Sequence, residues 1–183
     1  MSRVVVGLDL SYTNTGIAVF IDGAWHEDVS RLVSTNPKTF GGDRVLRAGW
    51  IGEQILETVG RLTEPKIYIE DYAYASFANR EAMGELGGIV KHMIREDGRS
   101  YETLAIKTIR KLVLGKGNAP KAQVMHGLLK RFAIDVTQPD MADACAVALA
   151  GDYVLRRRYY TEDWAPWLGD VRAAVEGHLK ARA

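Results

Sequence analysis

Residues 3–20 of the chain read RVVVGLDLSYTNTGIAVF, in which two apolar, β-branched runs are joined by a short polar stretch. Runs of this length separated by turn-forming residues are typical of paired strands, so we predict a hairpin with strands at residues 3–10 and 15–21. Asp9 lies inside the first of these strands. A buried carboxylate without a partner is costly or becomes protonated, so the strand is correct only if Asp9 has a partner elsewhere.

The rest of the chain alternates between strand-like and helix-like patterns. After an Asp22-Gly23 turn, residues 25–33 predict a third antiparallel strand. An opening meander followed by strands and helices in alternation predicts an α/β fold, a mixed sheet with helices on its faces. Apolar spacing predicts the later strands at 66–71 and 102–106, and helices at 43–62, 79–96, 107–114, about 118–132 and about 140–157.

Two local patterns refine these helices. Glycines after residue 114 predict the end of one helix, with Asn118 as the N-cap and Pro120 in the first turn of the next. Gly84, Gly87 and Gly88 indicate a helix face against which another backbone packs closely.

Composition favours a single domain. With 183 residues, 47% of them hydrophobic, the chain can bury a sizeable core. We expect one domain at residues 1–158 and a tail at 159–183 that packs as a final helix or mediates contacts. The sequence has no apolar run long enough to span a bilayer and no secretory signal, and its lone Cys145 excludes an internal disulfide and a zinc cluster. These features predict a soluble intracellular protein with no membrane partner.

Four carboxylates stand out by their positions: Asp9 and Glu70 near strand ends, and Asp140 and Asp143 at the start of the last helix. Residues three apart share a helical face, and converging anions need a cation between them or a retained proton. Such an oxygen-only set suits Mg²⁺, and two ions can promote phosphodiester hydrolysis. Each residue also has an ordinary explanation, a solvent-facing strand end for Glu70 and a capping box for Asp140 with Asp143.

Positive charge is concentrated in one segment, although the net charge is only +1. A solvated helix face usually mixes both signs, so an anionic partner is favoured over that explanation. Residues 105–131 contain no acidic residue and seven basic ones, Lys107, Arg110, Lys111, Lys116, Lys121, Lys130 and Arg131.

Four motifs occur in a fixed order along the chain: GLDLSYTNTGIAVF at 7–20, IYIEDYAY at 67–74, GKGNAPKAQV at 115–124 and PDMADACAVALA at 139–150. Over about residues 3–155, this set resembles the RuvC-type Holliday junction resolvases, including phage members, of the RNase H-like superfamily. The first motif is shared loosely with many RNase H-like folds, whereas the glycine-rich motif followed by the DxxDA helix is more particular to resolvases.

The resemblance implies an RNase H-like sheet of five strands, three antiparallel and then two parallel, flanked by helices. It implies a homodimer that binds a four-way DNA junction and nicks two strands symmetrically, in the cytoplasm of a bacterial host if the protein is phage-encoded. Asp9, Glu70, Asp140 and Asp143 match the metal ligands of the family, which would hold two Mg²⁺ ions per active site, with Mn²⁺ as a substitute. Lys121 matches a basic residue that supports catalysis near the scissile phosphate.

The resemblance also implies DNA contacts, because Arg110 matches a DNA-contacting residue and the family can carry an aromatic wedge after its strand-end glutamate. Tyr72, Tyr74 and Phe77 crowd that region, where packing is an equally good role for each. The predicted DNA-binding set is Lys107, Arg110, Lys111, Lys116, Asn118, Lys121, Tyr72, Tyr74 and Phe77.

Three other functions stay open at this point. An RNase H-like nuclease acting on RNA:DNA hybrids, flaps or forks would use the same metal chemistry. A sugar-kinase or actin-like ATPase shares a loose likeness to GLDLSYTNTG, but the chain is short for two lobes and carries no second phosphate motif. A catalytically silent DNA-binding protein would leave the four carboxylates unexplained.

Overall fold

The computed structural model describes residues 2–71 and 80–159. The tail proposed for residues 159–183, apart from Tyr159, lies outside the described residues, as do the aromatic candidates Tyr72, Tyr74 and Phe77. The strands are β1 (Val4–Asp9), β2 (Asn14–Ile21), β3 (Ala24–Trp25), β4 (Arg31–Ser34), β5 (Lys66–Asp71) and β6 (Tyr101–Ala105). The helices are α1 (Arg44–Gly60), α2 (Arg80–Glu96), α3 (Ile106–Leu114), α4 (Val124–Phe132) and α5 (Pro139–Tyr159).

A single mixed sheet organises the fold. Strand β1 pairs antiparallel with β2 on one side and parallel with β5 on the other, and β6 continues the parallel half beside β5. Both β3 and β4 pair antiparallel with β2, so they share the position of a third antiparallel strand. The predicted mixed α/β sheet, three antiparallel positions followed by two parallel ones, is confirmed.

The third strand was predicted as one continuous strand at 25–33, and this prediction is wrong. Between β3 and β4 the chain leaves the sheet, and the Ser30 side chain replaces a backbone partner of β2. The Ser30 hydroxyl accepts hydrogen bonds from Val19 N and Trp25 Nε1, each at 3.0 Å. The same hydroxyl donates to the carbonyl of His26 at 2.6 Å, which closes the intervening turn.

The two faces of the sheet bury separate cores. On β1, Val5 faces the side covered by α3, α4 and α5, whereas Val6 and Leu8 face the side covered by α1 and α2. This is the alternation expected of a strand that is buried on both faces. Side chains alternate along a strand, so Asp9, like Val5, points to the side covered by α5.

Helix α5 lies unusually close to the sheet. A Cβ atom placed at Gly7 would clash with backbone atoms of Ala144 and Ala148, and one at Gly16 would stand 2.5 Å from the carbonyl oxygen of Asp140. Glycine within a strand permits such an approach of another backbone, and the alanine-rich stretch of α5 adds no bulk on the helix side. Helix and sheet therefore meet almost backbone to backbone.

The far half of α5 is fixed by a buried ion pair. Asp152 is only 1% exposed and accepts hydrogen bonds from Arg3 Nε at 2.5 Å and from Arg156 Nε at 2.7 Å. A buried carboxylate held by two guanidinium groups resists displacement, since losing either partner leaves charge unpaired. Helix α5 is thus held at both ends against β1.

At two of the three glycines predicted to form a packing face on α2, no other part of the described chain packs closely. Gly87 is buried, but a Cβ atom at Gly84 or Gly88 would meet no described atom within 4 Å. The close backbone approach of this fold lies at Gly7 and Gly16 instead. Among residues 2–71 and 80–159, none of the helices combines the length and the apolar character that a membrane span requires.

We predict that Gly7→Ala lowers the free energy of unfolding by about 3 kcal/mol, because the added methyl group forces α5 away from the sheet. Gly84→Ala is the matched control, and its open position should make it neutral or stabilising by about 0.5–1 kcal/mol. Urea unfolding of both variants measures the difference. Equal stability of the two variants would contradict the close approach.

Candidate active site

Parallel pairing brings Asp9 and Glu70 to the same edge of the sheet. Leu8 of β1 is registered against Ile69 of β5, so the residues that follow them lie level with one another. Asp9 is the last residue of β1, and Glu70 is the last but one of β5. The expectation that these two strands are neighbours, which the pairing of the carboxylates required, is confirmed.

Helix α5 begins at this edge and contributes two more carboxylates. The contact between Gly16 and the Asp140 carbonyl places the first turn of α5 over the end of β2, which is the partner of Asp9 in the sheet. Carboxylate oxygens of Asp9, Asp140 and Asp143 all lie within 4.8 Å of one another. The structure thus brings together three of the four predicted ligands as a tight group.

The ordinary explanation for Asp140 as a helix cap is wrong. Pro139 is the first residue of α5, so Asp140 lies within the first turn, where the helix dipole still favours an anion. The carbonyl of Gln138, outside the helix, accepts the first backbone bond from Ala142 at 2.9 Å. The Asp140 carboxylate is therefore available to the cluster.

Lys121 reaches into the cluster from the opposite side. Its Nζ lies 2.5 Å from Asp143 Oδ2, 3.5 Å from Asp140 Oδ1 and 3.9 Å from Asp9 Oδ2. Lys121 opens a short 3₁₀ turn, Lys121–Gln123, that precedes α4. One ammonium group faces three carboxylates, so the site remains deficient in positive charge.

Glu70 lies in the same cleft, outside the group of three. The cleft has a volume of about 50 Å³, and its polar lining comprises Asp9, Glu70, Arg110, Lys121 and Asp143. The fourth predicted ligand is therefore adjacent to the cluster, together with two of the predicted cations.

Burial and mutual repulsion raise the pKa values of these acids. Burial raises the pKa of Asp9, and the charges of Glu70 and Asp143 raise it further, while Lys121 opposes them. Burial and then the charge of Asp143 raise the pKa of Glu70 to about 7, although Lys121 and Arg110 lower it. Burial would lower the pKa of Lys121, but its hydrogen bond to Asp143 and the surrounding anions raise it. Added positive charge is what would allow all the acids to ionise.

The residues present fit a hard divalent cation. The cluster offers only carboxylate oxygens, the donors that Mg²⁺ takes, and two of the three side chains, those of Asp9 and Asp143, are only 15% and 12% exposed. Cys145 is no competing ligand or nucleophile, because it is buried and burial raises the pKa of its thiol.

The residues predicted to bind DNA fall into two groups around the cleft. Arg110 and Lys121 line it directly. Lys107, Lys116 and Asn118 are exposed outside it, and Gly117 lies against the Lys107 carbonyl, which folds this loop back along α3. The loop and α3 therefore present their cations together.

The N-cap expected at Asn118 is corrected. Asn118 is not the N-cap of α4, since Pro120 precedes the 3₁₀ turn and α4 begins only at Val124. Arg131 donates to the Leu114 carbonyl at 3.1 Å and so closes the end of α3 rather than serving an external anion with that bond. Lys111 is half-buried on α3.

Sequence reasoning missed the residues that hold the site together. Gly7 and Gly16 had a visible signal, since glycine inside a strand marks a bulge or a close approach of another backbone. Arg47, buried on α1 against the turn that follows Asp9, gave no comparable signal because its partners are distant in sequence.

The strand order of the mixed sheet and the helices on its two faces give this chain the RNase H-like fold that the resemblance implied. No protein-family model matches the chain. The chain is 24% identical, over 181 residues, to the crossover junction endodeoxyribonuclease RuvC of Hahella chejuensis, and the match covers 96% of this chain and 98% of that protein.

Two solved structures share the fold. The Thermus thermophilus RuvC structure matches with a TM-score of 0.70 and 22% identity, covering 85% of this chain and 97% of that one. The structure of T. thermophilus RuvC in complex with a Holliday junction substrate matches with a TM-score of 0.69 and 22% identity, covering 85% and 96%. The resemblance to RuvC-type resolvases that the motifs indicated is therefore confirmed in sequence and in fold.

The raised pKa of Glu70 predicts a pH dependence of stability in the metal-free protein. A carboxyl whose pKa rises from its ordinary 4.5 to about 7 on folding favours the folded state below pH 4.5, and this contribution is lost as the pH rises through 7. In EDTA, the free energy of unfolding should fall as the pH rises from 5 to 7.5. The fall should be about 1–3 kcal/mol larger in the unmodified protein than in Glu70→Gln, because a shift of one pKa unit corresponds to about 1.4 kcal/mol.

Urea titrations at the two pH values measure this difference. Glu53→Gln, an exposed position on α1, is the control and should keep the full pH dependence. An identical pH dependence in Glu70→Gln and in the unmodified protein would show that Glu70 is not held in a desolvated, anionic environment.

Proposed function

We propose that this protein is a metal-dependent, structure-selective endodeoxyribonuclease that resolves four-way DNA junctions by paired, symmetric nicking. The observation that carries the proposal is the convergence of Asp9, Asp140 and Asp143 around Lys121, with Glu70 in the same cleft. The likeness to a RuvC structure that contains a Holliday junction substrate supports branched DNA as the ligand.

Asp9, Glu70, Asp140 and Asp143 are the residues that would hold the metal. We propose Mg²⁺, two ions per active site, with Mn²⁺ as a substitute, because the donors are all hard oxygens. Bound there, the ions would supply an activated water and would stabilise the leaving oxygen of the phosphodiester. The carboxylates contribute their negative charge and their fixed positions.

Lys121 and Arg110 would act on the DNA at the same cleft. Lys121 is about half exposed, so its ammonium can turn from Asp143 towards a phosphate once the carboxylates are neutralised. Arg110 adds a second cation beside Glu70. Both place positive charge where negative charge develops during phosphodiester cleavage.

The outer residues of the predicted DNA-binding set would hold the arms of the junction. Lys107, Lys116 and Asn118 are exposed, and Lys111 is partly so; contacts to phosphate position a protein on DNA without reading sequence. Tyr72, Tyr74 and Phe77 remain candidates for stacking on unpaired bases at the junction centre. Such a substrate would place the enzyme in the cytoplasm of the cell that carries the DNA.

Paired nicking needs two active sites, so we propose a homodimer. The start of α1 exposes two large apolar side chains, Val45 at 56% and Leu46 at 63%. Arg44, beside them, bonds to Glu85 on α2, where Gly84 and Gly88 leave the helix surface open. The start of α1 thus exposes two adjacent large apolar side chains, and we propose that the partner chain covers them.

We predict that Leu46→Glu yields a monomer in sedimentation at micromolar concentration, because it places a charge in this apolar surface. Leu129→Glu is the matched control, since Leu129 is also 50% exposed but lies on α4. Leu129→Glu should keep both the dimer and the thermal stability of the unmodified protein, and Leu46→Glu should still unfold cooperatively as a monomer. If Leu46→Glu remained a dimer, the dimer interface would not lie at the start of α1.

The nuclease activity is tested on synthetic four-way junctions with Mg²⁺. We predict paired nicks of like polarity, and losses of more than about 100-fold for Asp9→Asn and Asp143→Asn, as removal of a central catalytic group commonly causes. Both variants should still bind the junction in Ca²⁺, since binding rests on the basic surface. Asp28→Asn, at a side chain 80% exposed, should nick normally.

A substrate panel at equal concentration completes this experiment. RNA:DNA hybrids, flaps and replication forks are compared with the junction under one metal concentration. Stronger cleavage of a hybrid, or of flaps and forks, would show that the junction is not the preferred substrate and would favour another activity of an RNase H-like nuclease. Full nicking by Asp143→Asn would remove the proposed active site.

A further inference from the structure

Arg47 is a buried arginine whose hydrogen bonds, within residues 2–71 and 80–159, go to one hydroxyl and two backbone carbonyls rather than to an acid. It is 7% exposed, and its Nε donates to Thr35 Oγ1 at 2.5 Å while Nη2 donates to the Thr35 carbonyl at 3.1 Å. Nη2 also donates to the carbonyl of Tyr12. Burying a guanidinium group without a carboxylate partner costs desolvation free energy. Arg47 is therefore a candidate for a role other than stabilising the fold.

The backbone that Arg47 holds is the turn immediately after Asp9. This turn, residues 10–13, joins β1 to β2, and Tyr12 is at its centre. The Tyr12 carbonyl accepts from Arg47 and from Thr35 Oγ1, and Thr35 N donates to the neighbouring Thr13 carbonyl at 2.9 Å. The guanidinium carbon also lies 5.4 Å from the centre of the Tyr12 ring. Arg47 thus contacts both the backbone and the ring of Tyr12 in this turn.

A second contact ties the same turn to α2. Tyr12 donates its hydroxyl to Glu85 Oε1 at 2.7 Å, and Arg44 Nε lies 3.3 Å from the same oxygen. Tyr12, three positions after Asp9, therefore ties the turn to α1 and α2 on one face of the sheet. Asp9 itself points to the opposite face, so neither Arg47 nor Tyr12 takes part in its charge environment through direct contact.

We infer that Arg47 is a positioning residue for Asp9, acting through the Tyr12 turn; this rests on the proposed function for its catalytic consequence. Fixing residues 10–13 fixes where β1 ends and hence where the Asp9 carboxylate meets Asp140 and Asp143. Partners that orient a metal ligand commonly contribute 10- to 100-fold to metal affinity or activity. Arg47 supplies this support from α1, across the sheet from the cluster.

The test compares Arg47→Lys and Arg47→Met with Thr35→Val, which removes a single hydroxyl from the same network and is the milder change. Arg61→Gln, an exposed arginine at the end of α1, is the control. Mg²⁺ affinity is measured by calorimetry without DNA, and hydrogen exchange is followed at the amides of residues 11–14. Single-turnover nicking is then measured against Mg²⁺ concentration, and junction affinity in Ca²⁺.

We expect Thr35→Val and Arg47→Met to weaken Mg²⁺ binding by about 10-fold, to speed exchange in residues 11–14 and to leave junction affinity unchanged. Arg47→Lys should recover part of the Mg²⁺ affinity. Faster exchange with unaltered Mg²⁺ affinity in Thr35→Val would overturn the inference and leave Arg47 a structural residue. If the unmodified protein does not nick junctions, the proposed function fails, and the calorimetric result still decides the role of Arg47.

Discussion

The approach of α5 to β1 and β2 at Gly7 and Gly16 is the contact on which the candidate site depends. Strand pairing alone brings Asp9 and Glu70 to one edge of the sheet. Asp140 and Asp143 join them because the glycines at positions 7 and 16 let the backbone of α5 approach the strands below it. The buried Asp152 with its two arginines then holds the other end of α5 to the same strand.

This geometry creates an electrostatic problem that the protein alone solves only in part. Converging carboxylates are desolvated and repel one another, which raises the pKa values of Asp9, Glu70 and Asp143, with burial as the largest cause in each case. Lys121 offsets part of the repulsion. The remaining deficit of positive charge is what makes the cleft suited to a divalent cation and to the reaction that we propose.

Much of this arrangement could be predicted from the sequence because it follows from short-range patterns. Alternating apolar runs gave the strands, and two strand-end acids with a helix-start pair gave the four carboxylates. Patterns failed where one side chain changed the backbone, as when the Ser30 hydroxyl replaced a ladder partner and split the third strand. Pro120 likewise delayed α4 and removed Asn118 from the cap. Arg47 could not be foreseen, since its role depends on tertiary contacts with Tyr12 and Thr35.

The central claim is that Asp9, Asp140 and Asp143 form one metal site. Anomalous scattering from crystals of the protein soaked in Mn²⁺ tests it most directly, because Mn²⁺ accepts the same oxygen donors as Mg²⁺. We predict an anomalous peak within bonding distance of these carboxylates, and its loss in crystals of Asp143→Asn. If the protein cleaves DNA with Mn²⁺ but its crystals show anomalous peaks only at other positions, these three carboxylates do not form the metal site.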